Sequence, residues 1–165
     1  MKTVKVRDLA DEFSLAIISG DDAALDRQIV MAEINRPGLE LAGYFPETPI
    51  NRLSVMGEKE CRFIEQEMDE VDQRRSFEFL TNDDIPAIVI AHGYECPAVL
   101  LDIAKRKNFS VLITETPTSN AIVNITNFLD EKLAESIIIH GEFMRIFGIG
   151  VLITGRRSLD RKTVV

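Results

Sequence analysis

Residues 86–91 read Pro-Ala-Ile-Val-Ile-Ala, an apolar, β-rich run without polar alternation. A strand with one wet face alternates apolar and polar residues. A continuous apolar run instead belongs to a strand covered on both faces, the usual condition in parallel sheets flanked by helices. This run therefore points to a strand buried on both sides in a mostly parallel sheet. His92-Gly93 ends it, and residues 97–107 follow with Val99, Leu100, Ile103 and Ala104 at helical spacing. Lys105, Arg106 and Lys107 occupy the last turn of that helix, where cations suit its dipole. Residues 110–114 make a second buried-type strand. Thr118, Ser119 and Asn120 then offer capping groups for a helix reaching about Ala134, with Ile122, Ile125, Thr126, Leu129 and Leu133 on its helical stripe.

The flanking sequence continues this alternation. Val6, Leu9, Ala10 and Phe13 predict a short amphipathic helix over 6–13. Residues 15–18 predict a strand closed by the turn cluster Ser19-Gly20-Asp21-Asp22. Another strand is expected over 29–34, broken at Asn35-Arg36-Pro37-Gly38, with Pro37 at an early position of a short helix. Residues 52–56 form a strand ending at Gly57, and 58–80 are helical. Cys61, Ile64 and Met68 share one face there, and Val71, Phe77 and Leu80 continue in a second segment. Further strands are expected at 136–139 and 147–154. Strands alternating with helices predict a layered α/β domain with a mostly parallel or mixed sheet.

At 165 residues the chain can bury about 70% of its unfolded surface without disulfides or metals. Its two cysteines, Cys61 and Cys96, belong to no CxxC pair and have no histidines at ligand spacing, so they are expected to be structural thiols, with no metal site. The net charge of −8 argues against a nucleic-acid binder. No apolar run approaches the roughly 20 residues of a membrane span. The opening MKTVKVRDLADEF lacks a signal peptide's apolar stretch, so the cytoplasm is the expected location. The last ten residues hold four basic residues and one acid, leaving 15 basic and 26 acidic residues, a net −11, in positions 1–155. Residues 156–165 are compositionally foreign to that body, and a divergent or non-native, disordered tail is expected there.

NRPGLELAGYF at residues 35–45 resembles the RPGLELAGYF segment of HPr kinase/phosphorylase N-terminal domains. VKVRDLADEFSLAIISG, Arg52-Leu53 with Met56-Gly57, PAIVIAHGYECP, ITNFLDEKLA and IIIHGEFMRIFGIGVLITG resemble further segments in the same order, so that residues 3–155 are covered. The resemblance implies a three-layer α/β/α domain over 1–134, similar to the first domain of muramoyl-peptide ligases. Strands over 135–155 would lead into a P-loop kinase domain. It also implies, for the full-length family, an ATP- and Mg-dependent serine kinase and phosphorylase acting on the phosphocarrier HPr in carbon catabolite repression, assembled as a homohexamer.

A phosphate loop needs G-x-x-x-x-G-K-[ST], with glycines for backbone convergence, a lysine for the β/γ oxygens and a hydroxyl for Mg²⁺. Here Gly155 fits the first position, Ser158 and Asp160 replace the inner glycines, and Arg161 stands at the lysine position. Lys162-Thr163 comes one residue late. Asp160 would face phosphate oxygens of its own sign, a repulsion of about 4 kcal/mol at about 4 Å and an effective dielectric near 20. This chain is expected to be inactive as a kinase, to bind no cofactor, and to be a monomer or dimer without the catalytic half.

By resemblance, His140 before Gly141 would belong to the active site of a full-length relative, and Gly155 is a remnant of its nucleotide loop. His92 sits at a strand end where open α/β sheets bind ligands, and is otherwise a plain loop histidine. Arg36 and Glu40 are placed for a local ion pair or an anion contact at a helix start. Thr114, Thr116 and Thr118 lie at a hydroxyl-rich strand-to-helix junction that serves capping, or an anion or nucleotide-sugar. Tyr44 and Phe45 are expected to pack, and the acidic run 65–72 to be a solvated helix face. Two further functions compete with a non-catalytic HPr kinase domain. A freestanding ligand-sensing or assembly module remains open, and an independent P-loop kinase is disfavoured by the broken loop.

Overall fold

The structure, a computed structural model, describes residues 2–48, 51–135 and 141–154. The expected strand over 136–139, the histidine at 140, Gly155 and the segment 156–165 lie outside the described residues. The chain divides into two compact units, Met1–Ala134 and Glu135–Val165.

The first unit is built on a five-stranded mixed sheet in the order β2-β7-β6-β5-β4. Its strands are β2 (Ala16–Ser19), β4 (Ile34–Asn35), β5 (Leu53–Met56), β6 (Ile88–Ile90) and β7 (Val111–Ile113). β4, β5, β6 and β7 run parallel, and β2 closes one edge antiparallel to β7. A separate two-stranded ribbon pairs β1 (Val4–Lys5) with β3 (Gln28–Ile29). The helices are α1 (Val6–Glu12), α2 (Asp22–Leu25), α3 (Gly38–Leu41), α4 (Glu58–Glu67), α5 (Glu70–Leu80), α6 (Ala98–Lys107) and α7 (Thr118–Leu133).

Successive strand residues point to opposite faces, and each face has its own core. Leu53, Val55, Ala87, Val89 and Leu112 pack with Leu9 of α1 and Ile125 and Leu129 of α7. Met56, Ile88, Ile90 and Val111 pack with Ile64 of α4, Phe77 and Leu80 of α5, and Leu100 and Ile103 of α6. Helices on both faces of a mostly parallel sheet make the three-layer α/β/α architecture. Ile88, Val89 and Ile90 have no solvent exposure, and burying each such side chain contributes about 1.5–3 kcal/mol.

Several local expectations need correction. Residues 29–34 do not form one strand, because Ile29 pairs with Val4 and Ile34 with Leu53 in a different sheet. The helix over 58–80 breaks at Met68-Asp69, where extended backbone at Met68 is followed by Asp69, whose carboxylate accepts the Asp72 N–H and starts α5. That restart turns Val71 outward, 72% exposed. Tyr44 is also exposed, whereas Phe45 packs on Phe79 with ring centroids 5.2 Å apart. Pro37 immediately precedes α3 rather than lying within it. Residues 65–67 and 69–72 are exposed, as a solvated face requires.

The second unit contains a hairpin of β8 (Gly141–Ile146) and β9 (Ile149–Thr154). Phe147 and Gly148 are its two-residue turn rather than the start of the last strand. Both have positive φ, 51° and 83°, as tight hairpin turns demand.

Candidate functional site

Because β4 to β7 are parallel, their carboxyl ends lie along one edge of the sheet, the place where open α/β sheets receive ligands. The sequence puts a turn-forming or polar residue just beyond each end: Arg36 after β4, Gly57 after β5, His92-Gly93 after β6 and Thr114 after β7.

At the β4–β5 end, Arg36 does not pair with Glu40. Its Nη2 donates to Glu60 Oε1 and Oε2 at 2.6 and 2.8 Å. Glu60, 8% exposed in the first turn of α4, also accepts the Gly57 N–H through Oε2 at 2.9 Å. Burial pushes the Glu60 carboxyl up, but the Arg36 and Gly57 hydrogen bonds together outweigh it and hold the group below the usual carboxylate range. Glu40 is 4% exposed, and among the described residues its Oε1 accepts a single long bond, 3.4 Å from Asn35 Nδ2, which lies equally far from Ser54 Oγ. A four-residue separation suggested the Arg36–Glu40 pair. The real partner is 24 residues away, and no local spacing could reveal it.

At the β6–β7 end, two backbone bonds join the loops. The His92 N–H donates to the Thr116 carbonyl and the Gly93 N–H to the Thr114 carbonyl, both at 2.9 Å. This clasp holds His92 at φ 62° and Gly93 at φ 67°. The exposed His92 ring stacks on Tyr94, centroids 5.9 Å apart and planes inclined at 28°. Gly93 allows a close approach: a Cβ there would lie 2.3 Å from Glu115 Oε2. Thr114 Oγ1 accepts the Thr116 N–H at 3.2 Å and meets Thr116 Oγ1 at 3.2 Å. Both hydroxyls thus serve the turn first.

The expected capping of the last helix is not observed. α7 begins after Pro117 with no side-chain cap, and α6 likewise begins after Pro97. Thr118 packs instead against Gly57, where a Cβ would lie 2.3 Å from its Oγ1. Arg36, His92, Thr114, Thr116 and Thr118 therefore share one rim, knitted to α4 and α7, while Glu40 lies buried behind it. Sequence inspection missed Gly57, Glu60, Tyr94 and Glu115. A glycine directly after an apolar strand was the available signal for Gly57; the others carry none.

Elsewhere, burial lifts the Cys61 thiol to about 11, with the charges of Glu60 and Glu65 adding to it. Burial and the nearby Cys61 lift Cys96 to about 12. Among the described residues, no group of three or more His, Cys, Asp or Glu could hold a metal ion, and no helix is long and apolar enough to cross a membrane.

Residues 4–129, which contain the whole sheet and its rim, match the family model described as HPr Serine kinase N terminus. The chain belongs to this family. It is 36% identical over 158 residues to the HPr kinase/phosphorylase of Pediococcus pentosaceus, covering 96% of this chain and 51% of the relative. It is 34% identical over 161 residues to that of Bacillus subtilis and 37% identical over 161 residues to that of Halalkalibacterium halodurans, covering 98% of this chain and 51% of each relative. The chain thus spans about half the length of the curated relatives it matches. In this HPr kinase N-terminal domain the RPGLELAGYF segment follows β4 directly and runs through α3, with Arg36 tied to α4.

Proposed function

We propose that this chain acts as the non-catalytic N-terminal domain of an HPr kinase/phosphorylase, serving the ATP-dependent phosphorylation of HPr and its reversal in bacterial carbon catabolite control. The observation that carries this reading is the match of residues 4–129 to the family's N-terminal model, in relatives about twice as long. The chemistry agrees: none of the 165 residues forms G-x-x-x-x-G-K-[ST], and Asp160 with Arg161 would spoil a phosphate cradle at 155–163. ATP and Mg²⁺ would be held by the catalytic half, to whose site His140 and Gly155 belong by resemblance. This domain itself takes no cofactor. HPr is the protein partner and the cytoplasm the location. The whole enzyme is a hexamer, whereas this chain alone is a monomer or dimer.

The second reading is a freestanding ligand-sensing or assembly module without enzymatic activity, for which the rim would supply the contacts. Arg36, His92, Thr114, Thr116 and Thr118 are the candidate contacts, with Glu40 behind them. The paired Arg36 and the nearby Glu60 and Glu115 weaken the rim's attraction for a polyanion. Calorimetry of the chain with MgATP, fructose bisphosphate and HPr tests both roles. No heat with MgATP is expected. Micromolar MgATP binding refutes the non-catalytic reading, and selective uptake of fructose bisphosphate supports sensing.

A further inference from the structure

A groove lies where the chain turns from α4 into α5, beside the end of α3. No residue of the rim lines it. α4 leaves the rim at Gly57 and reaches the groove at its other end, Glu67, ten residues or about 15 Å further on. The groove holds about 360 Å³, inside the range of roughly 300–1,000 Å³ typical of small-molecule sites. Buried Leu41 and Met68 and the part-exposed ring of Phe63 give it apolar surface. Gly43, at φ 95°, turns the chain out of α3 and leaves open space beside it.

Three charged side chains line the same groove, and among the described residues none of them is paired. Arg75 makes no hydrogen bond or ion pair there, whereas Arg74 beside it pairs with Glu70 and Asp102. The Glu67 and Asp72 carboxylates likewise accept no hydrogen bond. Asp72, Arg75 and Ser76 share one face of α5, three and four residues apart, and Glu67 stands across the corner at the end of α4. Ser76 is 2% exposed and donates its hydroxyl proton to the Glu40 carbonyl at 2.9 Å, which leaves its oxygen able to accept. No basic residue occupies the last turn of α4, so the negative pole of that helix adds to the two carboxylates. The groove thus presents acceptors at the α4–α5 corner and one strong donor a turn further along α5.

We infer that this groove binds a free aliphatic α-amino acid. The ammonium group sits between Glu67 and Asp72, with Ser76 Oγ as a further acceptor. The carboxylate takes the Arg75 guanidinium, and the side chain lies on Leu41, Met68 and Phe63. Other ligand classes leave a group unmatched. A simple cation does nothing for Arg75, a simple anion meets two carboxylates, and an acidic amino acid brings them a further negative charge. A peptide N-terminus offers the ammonium without the adjacent carboxylate. The charged groups are exposed to water, which screens them, so the affinity is modest. This inference does not rest on the proposed role of the chain.

The test is an NMR titration of the full, isotope-labelled chain with L-leucine. Saturable shifts are expected at the amides of residues 41–43 and 67–76. N-acetyl-L-leucine, which lacks the ammonium, and L-leucinamide, which lacks the carboxylate, should each bind about tenfold more weakly, as the loss of one charge-assisted pair implies. Asp72→Asn and Arg75→Gln should weaken leucine binding by a similar factor, and Arg74→Gln should leave it unchanged. Arg75→Gln should also bind leucine and leucinamide alike, a change of preference that a misfolded variant cannot imitate. The absence of saturable shifts with leucine overturns the inference, as do shifts confined to other residues. So does N-acetyl-L-leucine binding as well as leucine. An Arg75→Gln variant that keeps the wild-type affinity, or the preference for leucine over leucinamide, overturns it too.

Discussion

Replacing Gly57 by alanine drives a methyl group into Thr118. The new carbon would lie 2.3 Å from Oγ1, 2.4 Å from Cγ2 and 2.9 Å from Cβ of that threonine. Backbone strain plays no part, since Gly57 has φ −121° and ψ −160°, an extended conformation open to any residue. The cost is therefore steric, and because even Thr118 Cβ is too close, no rotamer of Thr118 relieves it. Overpacking of this kind costs about 1–3 kcal/mol. For a chain of this length each kcal/mol lowers the melting temperature by roughly 2–4 °C. In urea the midpoint falls by about 1 M for a loss near 2 kcal/mol and an m-value near 2 kcal/mol/M. The decisive experiment is a double-mutant cycle by urea denaturation. Thr118→Ala should rescue Gly57→Ala only in part, because Cβ remains, and Thr118→Gly should rescue it further, with a coupling of about 1–2 kcal/mol. If Gly57→Ala is neutral, or its cost simply adds to that of Thr118→Gly, the close approach of α7 to the end of β5 is not what glycine serves here.

Three other perturbations follow the same logic. Arg36→Met should cost about 1–3 kcal/mol at pH 7, because it strands the Glu60 carboxylate. Glu60 titrates lower in the folded chain than in the unfolded one, so its pairing stabilises above the ordinary carboxylate range and is lost as pH falls through the folded value. The gap between wild type and variant should therefore close on acidification, and a gap that is the same at pH 3 and pH 7 would show the ion pair to be irrelevant. Cys61 and Cys96, raised to about 11 and about 12, should react slowly with a disulfide reagent at pH 8 and rapidly in urea. Native reaction at the rate of a free thiol contradicts their burial. Phe77→Ala, at a position without solvent exposure, should cost about 3–5 kcal/mol by chemical denaturation, and a loss below 1 kcal/mol would refute the packing of α5 on the sheet.

The strands over 53–56, 88–90 and 111–113 and the helices over 98–107 and 118–133 were legible because hydrophobic burial imposes a period on consecutive residues. β1 and β3 were not, since two-residue strands have no period to read. Nor was the reversed direction of β2, which hydrophobicity does not encode. Residues 29–34 looked like one strand because apolar content is blind to partner choice, and Ile29 and Ile34 belong to different sheets. At the rim, local chemistry picked out Arg36, His92 and the threonines. It could not supply the Arg36–Glu60 bridge or the clasp between His92 and Thr116, because both depend on crossovers that fold distant segments together. Thr118 shows the opposite error: a good capping residue by type, it is used for packing.

The clasp between the loops after β6 and β7 is made wholly of main-chain atoms. Side chains at 92, 114 and 116 can therefore change while the hydrogen bonds that shape this corner persist, provided the new residue at 92 tolerates a left-handed backbone. Substitutions there can thus change the side chains that this corner presents while retaining the main-chain scaffold beneath them.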